Sequence, residues 1–169
     1  MTGTLVLGLG NDFAGDDAIG PLVARALYVE LDGVADVVES SASGLALIEV
    51  FAGYDRAVVV DSIVTGRNPP GTITEMGLLD VGRVVAASLH NAGLPELAAV
   101  ATRLGLGFPS QTVVFAVEVV DPYTFGVGLS APVAGAVEGL VGRVRAQVRT
   151  WEGEAACTTT TPSKRSSNA

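Results

Sequence analysis

The chain alternates short unbroken apolar runs with longer segments whose apolar residues recur every three or four positions. Residues 4–10, TLVLGLG, are apolar and end in glycines, the pattern of a strand buried on both faces. Residues 16–31, DDAIGPLVARALYVEL, place Ile19, Leu22, Val23, Leu27 and Leu31 on one helical face. Pro21 falls near the first turn, where proline is tolerated. A second strand is predicted over 35–40 (ADVVES), then a helix over 43–53, opened by a Ser/Gly loop and closed by Gly53. RAVVVDSIV (56–64) is β-branched and apolar on both faces, which predicts a central strand. GRNPPG (66–71) is turn chemistry, and TITEM (72–76) is a short strand suited to a sheet edge. Residues 88–105 predict a loop, then a helix from about Gly93 or Leu94 to Gly105. QTVVFAVEVV (111–120) is another buried strand, 121–129 a loop, and 130–151 a long helix with Ser130 as N-cap and Pro132 early in it.

Strands alternating with helices predict a mostly parallel sheet covered by helices on both faces. In such sheets ligands bind in the crevice beyond the carboxyl ends of the strands. The periodicity stops after Trp151. Residues 152–169, EGEAACTTTTPSKRSSNA, are polar and Thr/Ser-rich, so the expected organisation is one domain over 1–151 and a disordered tail over 152–169.

Composition narrows the possible partners. Of 169 residues 49% are hydrophobic and 17% charged, which suits a compact, oily domain. The net charge of −8 would repel duplex nucleic acid and an anionic membrane surface, so neither is an expected partner. The single Cys157 excludes an intrachain disulfide and a multi-cysteine metal site. Residues 1–10 carry no Lys or Arg before the apolar run, and no apolar stretch reaches the roughly 20 residues of a membrane helix. A reducing cytoplasm is the expected location.

The segment GLGNDFAGDDAIG (8–20) begins like a phosphate-binding glycine loop. A dinucleotide fingerprint needs a third glycine where Phe13 stands, and Asp16 and Asp17 occupy the helix start where a pyrophosphate would sit. No Gly-Lys-Ser/Thr follows, which excludes a Walker loop. Glu39, near the end of the second strand, could still imitate a ribose-binding acid, so a Rossmann-type dinucleotide binder stands as the alternative.

A second constellation forms at the same predicted edge. Asp16 and Asp17 follow the first strand, Asp61 ends the third, and His90, the only histidine, lies in the loop SLHNAG. Two carboxylates and an imidazole make a three-ligand set for a borderline divalent ion such as nickel or zinc, with open positions. Each residue also has an ordinary use: Asp16 as an N-cap, Asp61 as a turn cap, His90 as a surface side chain. Ser62 and Ser130 have no dedicated histidine, and a Cys157–His90 pair would require the tail to dock, so no serine or cysteine nucleophile is expected.

Four blocks together, LGLGNDFAGDDAIG, VVVDSIVTGRNPPGTI, SLHNAGLPELA and VEVVDPYTFGVGLSAPV, resemble the hydrogenase maturation endopeptidases. That family trims a C-terminal peptide from the large subunit of nickel–iron hydrogenases after nickel insertion. The resemblance covers residues 4 to about 150 and implies a three-layer α/β/α sandwich. It matches Asp17, three places before the motif glycine Gly20, to the family's first metal-contacting acid, Asp61 to the second, and His90 to the histidine. Many relatives carry Glu at the first position; the shorter Asp keeps the charge with less reach. Asn11 fits the motif asparagine. Many relatives have a glycine-rich stretch with Thr where this chain reads ESSASG, with Ser41 and a retained Gly44, so Asn11, Asp16, Ser41 and Gly44 are expected in the substrate-facing loops.

The resemblance implies an endopeptidase with no permanent cofactor. The large-subunit precursor would bring its own nickel, and Asp17, Asp61 and His90 would complete its coordination, although another divalent ion could occupy the site. Two routes to peptide-bond hydrolysis stay open: activation of water by the ion, or Asp17 or Asp61 as general base. A non-proteolytic nickel-site chaperone would need the same three residues.

Overall fold

The computed structural model describes residues 3–81 and 93–159. Its elements follow the alternation of the sequence: β1 Thr4–Leu9, a 3-10 turn Gly15–Ala18, α1 Ile19–Leu27, β2 Asp36–Ser40, α2 Ala46–Phe51, β3 Arg56–Ile63 and β4 Ile73–Gly77. Then come α3 Leu78–Val81, α4 Leu94–Arg103, β5 Gln111–Glu118 and α5 Ala131–Thr159. The sheet order is β2-β1-β3-β5-β4. Only the edge strand β4 runs antiparallel, paired with β5. The apolar run of residues 56–64 is indeed the central strand, and the short TITEM strand lies at an edge.

Both faces of the sheet are covered, and the strand alternation decides which side chain goes where. Val6, Val58, Val60, Phe115 and Val117 pack with Ile19, Val23 and Leu27 of α1 and Val133, Leu140, Val144 and Trp151 of α5. Leu5, Leu7, Leu9, Ala57, Val59 and Val114 pack on the other side with Leu47 and Phe51 of α2 and Leu94 and Leu97 of α4. The result is three layers, helix–sheet–helix. α1 and α2 leave β1 and β2 on opposite faces, so the sheet reverses its winding between β1 and β3. That switch point opens a crevice at the carboxyl ends of those two strands.

Three glycines bring α1 down onto this edge. A Cβ on Gly8 would lie 2.2 Å from the Gly20 carbonyl oxygen, and one on Gly20 would lie 2.1 Å from that of Leu9. Gly10, at φ +144°, leaves no room either: its Cβ would sit 2.0 Å from the Asp17 carbonyl oxygen. Phe13, by contrast, is 72% exposed and stands outside this contact. The close helix–strand approach therefore uses Gly20, seven positions beyond Phe13, where the dinucleotide fingerprint would need its last glycine.

Several boundaries differ from the pattern. Residues 15–18 form a 3-10 turn before α1 starts at Ile19. α1 ends at Leu27, although Leu31 still donates its N–H to the Leu27 carbonyl and stays buried. α2 covers Ala46–Phe51, inside the predicted 43–53. α5 runs to Thr159, past the predicted end at 151: Glu152, Glu154, Ala155 and Ala156 are good helix formers, and Glu154 pairs with Arg56 of β3. Residues 160–169 lie outside the described residues.

Candidate functional site

Loops leaving β1, β3 and β5 meet at the carboxyl edge. The β1–β3 ladder ends at Gly8–Val60, so Asp61 and Ser62 stand just past it, facing the turn that carries Asp17. Both carboxylates are enclosed, Asp17 at 2% and Asp61 at 0% exposure. Ser62 joins them. Its hydroxyl donates to Asp17 Oδ1 at 2.6 Å, and its backbone N–H donates to Asp61 Oδ1 at 2.9 Å. The Asn11 N–H donates to Asp17 Oδ2 at 2.8 Å, so the motif asparagine shapes the loop around the acid. Asn11 Oδ1 in turn accepts the Phe13 N–H at 3.0 Å.

The two acids have different supports. Asp61 is fixed by the central strand, and Asp17 by a turn seated through Gly10 and Gly20. A carboxylate offers about four acceptor sites, so one acid can serve several donors or a cation at once. Hard and borderline divalent cations suit such a donor set. Among the described residues, no three His, Cys, Asp or Glu side chains converge to hold a metal ion. His90, the third expected ligand, lies outside the described residues.

The other predicted residues divide. Asn11 and Ser41 line an open cleft of about 370 Å³ together with Asp17, and Pro122, Tyr123 and Phe125 form its far side. Gly44 adopts φ +59° with nothing within 4 Å of a Cβ, and its carbonyl accepts the Leu47 N–H at the start of α2. Asp16 departs from the expected N-cap role: it is 1% exposed and does not cap the turn, whose N-cap position is Ala14. Its Oδ2 accepts N–H groups of Val120 and Asp121 at 3.1 and 3.3 Å, and its Oδ1 that of Ser130 at 2.6 Å. The Ser130 hydroxyl also donates to Asp16 Oδ2, at 3.0 Å, while the Ser130 carbonyl accepts the Ala134 N–H at 2.8 Å, which puts Ser130 at the expected N-cap position of α5. The physical reason is desolvation: a buried carboxylate draws every donor in reach.

Neighbouring charges keep these loops in place. Glu118, 2% exposed at the end of β5, accepts N–H groups of Thr65 and Gly66 at 2.7 and 2.8 Å and so shapes the loop after β3. Arg25 of α1 bonds Glu39 of β2 and Asp12 of the first loop. Hydrogen bonding to Glu39, then to Asp12, holds its guanidinium pKa above the usual range. Glu39 is thus committed to Arg25, which removes the one acid able to imitate a ribose ligand. Asp121 accepts N–H groups of Tyr123 and Thr124, and hydrogen bonding led by the Thr124 side chain lowers its pKa from the usual carboxylate value.

The profile of the hydrogenase maturation protease family matches residues 21–147. The chain belongs to the hydrogenase maturation protease family. The hydrogenase 2 maturation protease of Escherichia coli K12 is 29% identical over 152 residues, 86% of this chain and 90% of that protein. The hydrogenase expression/formation protein HupD of Rhizobium leguminosarum bv. viciae is 28% identical, over 87% of this chain and 74% of its own length. The solved structure of the hydrogenase maturating endopeptidase HybD from E. coli superposes with a TM-score of 0.73 at 25% identity, covering 88% of this chain and 93% of that one. The three-layer fold is that of the maturation proteases, and the protein is a peptidase. The dinucleotide and chaperone alternatives give way to this assignment.

Sequence reasoning missed Ser62 as a bridge and dismissed it only as a nucleophile. It also passed over the aromatics of DPYTF, which were visible as two rings in a glycine-flanked loop.

Proposed function

We propose that this maturation protease removes the C-terminal extension of a nickel–iron hydrogenase large-subunit precursor and recognises that precursor through its bound nickel. The observation that carries the reading is the Asp17–Ser62–Asp61 bridge: two enclosed carboxylates held together at the edge where a peptidase of this fold has its crevice. In this reading the enzyme keeps no permanent cofactor, and the nickel is part of the substrate. Asp17 and Asp61 offer oxygen donors to it, with His90 as the third ligand. A site of two carboxylates and an imidazole takes a borderline ion without the permanence of a thiolate cage.

Hydrolysis needs a water deprotonated beside the scissile carbonyl. Asp17 is the chain's own candidate for that base, since it lines the cleft. The nickel bound to the substrate supplies Lewis acidity when present. The relatives' names support the hydrogenase precursor as substrate class.

The test is incubation with nickel-loaded and nickel-free precursor, followed by mass measurement. The loaded precursor should lose its C-terminal peptide and the nickel-free one should not. Asp17→Asn and His90→Ala should each slow processing by about 100-fold or more while melting normally. Equal trimming of nickel-free precursor would remove nickel recognition from the proposal. Normal trimming by His90→Ala would remove the three-ligand set.

A further inference from the structure

We propose that the loops leaving β1 and β5 form a preorganised aromatic wall, in which Tyr123 and Phe125, extended by Phe13, hold apolar side chains of the polypeptide substrate beside Asp17. The inference rests on the function just proposed, and adds what part of the partner is gripped and by which residues.

Phe13, Tyr123 and Phe125 are 72%, 54% and 69% exposed, although each ring could bury roughly 150–250 Å². Single exposed apolar residues are ordinary, but grouped exposed aromatics mark interaction surfaces. These three are grouped by construction. Ala14 and Phe125 form an antiparallel bridge, and the Gly126 N–H donates to the Phe13 carbonyl at 2.9 Å. The Asp16 N–H donates to the Asp121 carbonyl at 2.9 Å, and the buried Asp16 carboxylate gathers Val120, Asp121 and Ser130. Gly15, at φ +45°, allows this seam, because a Cβ there would meet the Asp121 carbonyl oxygen at 2.4 Å.

The occupant follows from where the wall stands. Tyr123 and Phe125 line the same cleft as Asp17, so a polypeptide that reaches Asp17 lies against the rings. The loop that fixes the acid is also stitched to the loop that fixes the wall. The distance between grip and chemistry is therefore set before substrate arrives, which spares the ordering cost of binding. Asp16 thereby acquires a role: it positions the wall without touching the substrate.

The experiment compares wild type with the Tyr123→Ser/Phe125→Ser double variant on nickel-loaded precursor. It reads KM and kcat, the Kd for the precursor by titration, the melting temperature and the oligomeric state. KM and Kd should rise about 10-fold or more, with kcat falling much less and melting unchanged, because aromatic anchors carry a large share of the energy of an interface. KM and Kd within about twofold of wild type would overturn the wall. So would loss of a homodimer without a change in Kd, which would make the patch a self-association surface. If wild type binds the precursor but does not cut it, the proposed function falls and Kd alone decides the wall. If wild type does not bind it, both fall.

Discussion

At the scale of single residues, the site depends on Ser62 as much as on the acids it joins. Its hydroxyl reaches Asp17 and its backbone N–H reaches Asp61, so one residue ties the orientation of one carboxylate to the other. Removing the hydroxyl keeps the Asn11 N–H on Asp17 but takes away the bond that ties Oδ1 to β3. Ser62→Ala should therefore lower kcat by about 10–100-fold, the usual scale for partners that orient a functional ligand. Ser62→Thr, which keeps the hydroxyl and suits a strand, should recover most of the loss. On an Asp17→Asn background, Ser62→Ala should add nothing. Steady-state kinetics on the precursor checks all three, and full activity of Ser62→Ala would show that Asp17 needs no such support. The acids themselves were legible, since an Asp ending an apolar strand and a pair opening a helix are both visible in one dimension. Ser62 was not, because its partner lies 45 positions away and meets it only once β1 and β3 are neighbours.

At the scale of elements, the motif glycines explain why the first loop carries an acid where related folds carry a phosphate. A dinucleotide loop ends in a glycine that lets helix and strand touch. Here that contact is made by Gly20 on Leu9 and Val60, after the 3-10 turn that holds Asp16 and Asp17. The turn therefore occupies the space of the anion. Gly20→Ala would place a methyl carbon 2.1 Å from the Leu9 carbonyl oxygen and 2.8 Å from that of Val60, both backbone atoms that cannot swing aside. It should cost roughly 1–3 kcal/mol by overpacking and push α1 and the Asp17 turn off the edge. Thermal melting and precursor processing should fall together. A variant that melts normally and cuts normally would mean that α1 has slack not visible in its packing. Strand and helix periods located the elements well, because both faces of the sheet are apolar and the helices carry clean stripes. The ends were less legible. The 3-10 turn, α3 and the extension of α5 depend on tertiary partners such as Asp121 and Arg56 rather than on local pattern.

At the scale of the whole molecule, function and closure sit at opposite ends of the sheet. The acids, the cleft and the aromatic wall lie at the carboxyl ends of β1, β3 and β5. At the other end Arg56, the first residue of β3, donates to the Trp151 carbonyl at 2.6 Å and lies 5.7 Å from the centre of its ring. Trp151, 5% exposed, closes the core stripe that α5 begins at Val133. Trp151→Ala would empty that corner and remove the cation–π contact, while the backbone hydrogen bond survives. The expected loss is about 3 kcal/mol or more. For a chain of this length that lowers the melting temperature by roughly 6–12 °C. The Asp17–Ser62–Asp61 bridge lies at the opposite end of the sheet from Trp151, and well-separated sites add independently. Processing of the nickel-loaded precursor, measured well below the melting transition, should therefore keep its native kcat and KM. A fall in kcat at that temperature would mean that strain at the amino end of β3 travels along the strand to Asp61, five positions beyond Arg56, and that the central strand couples the two ends.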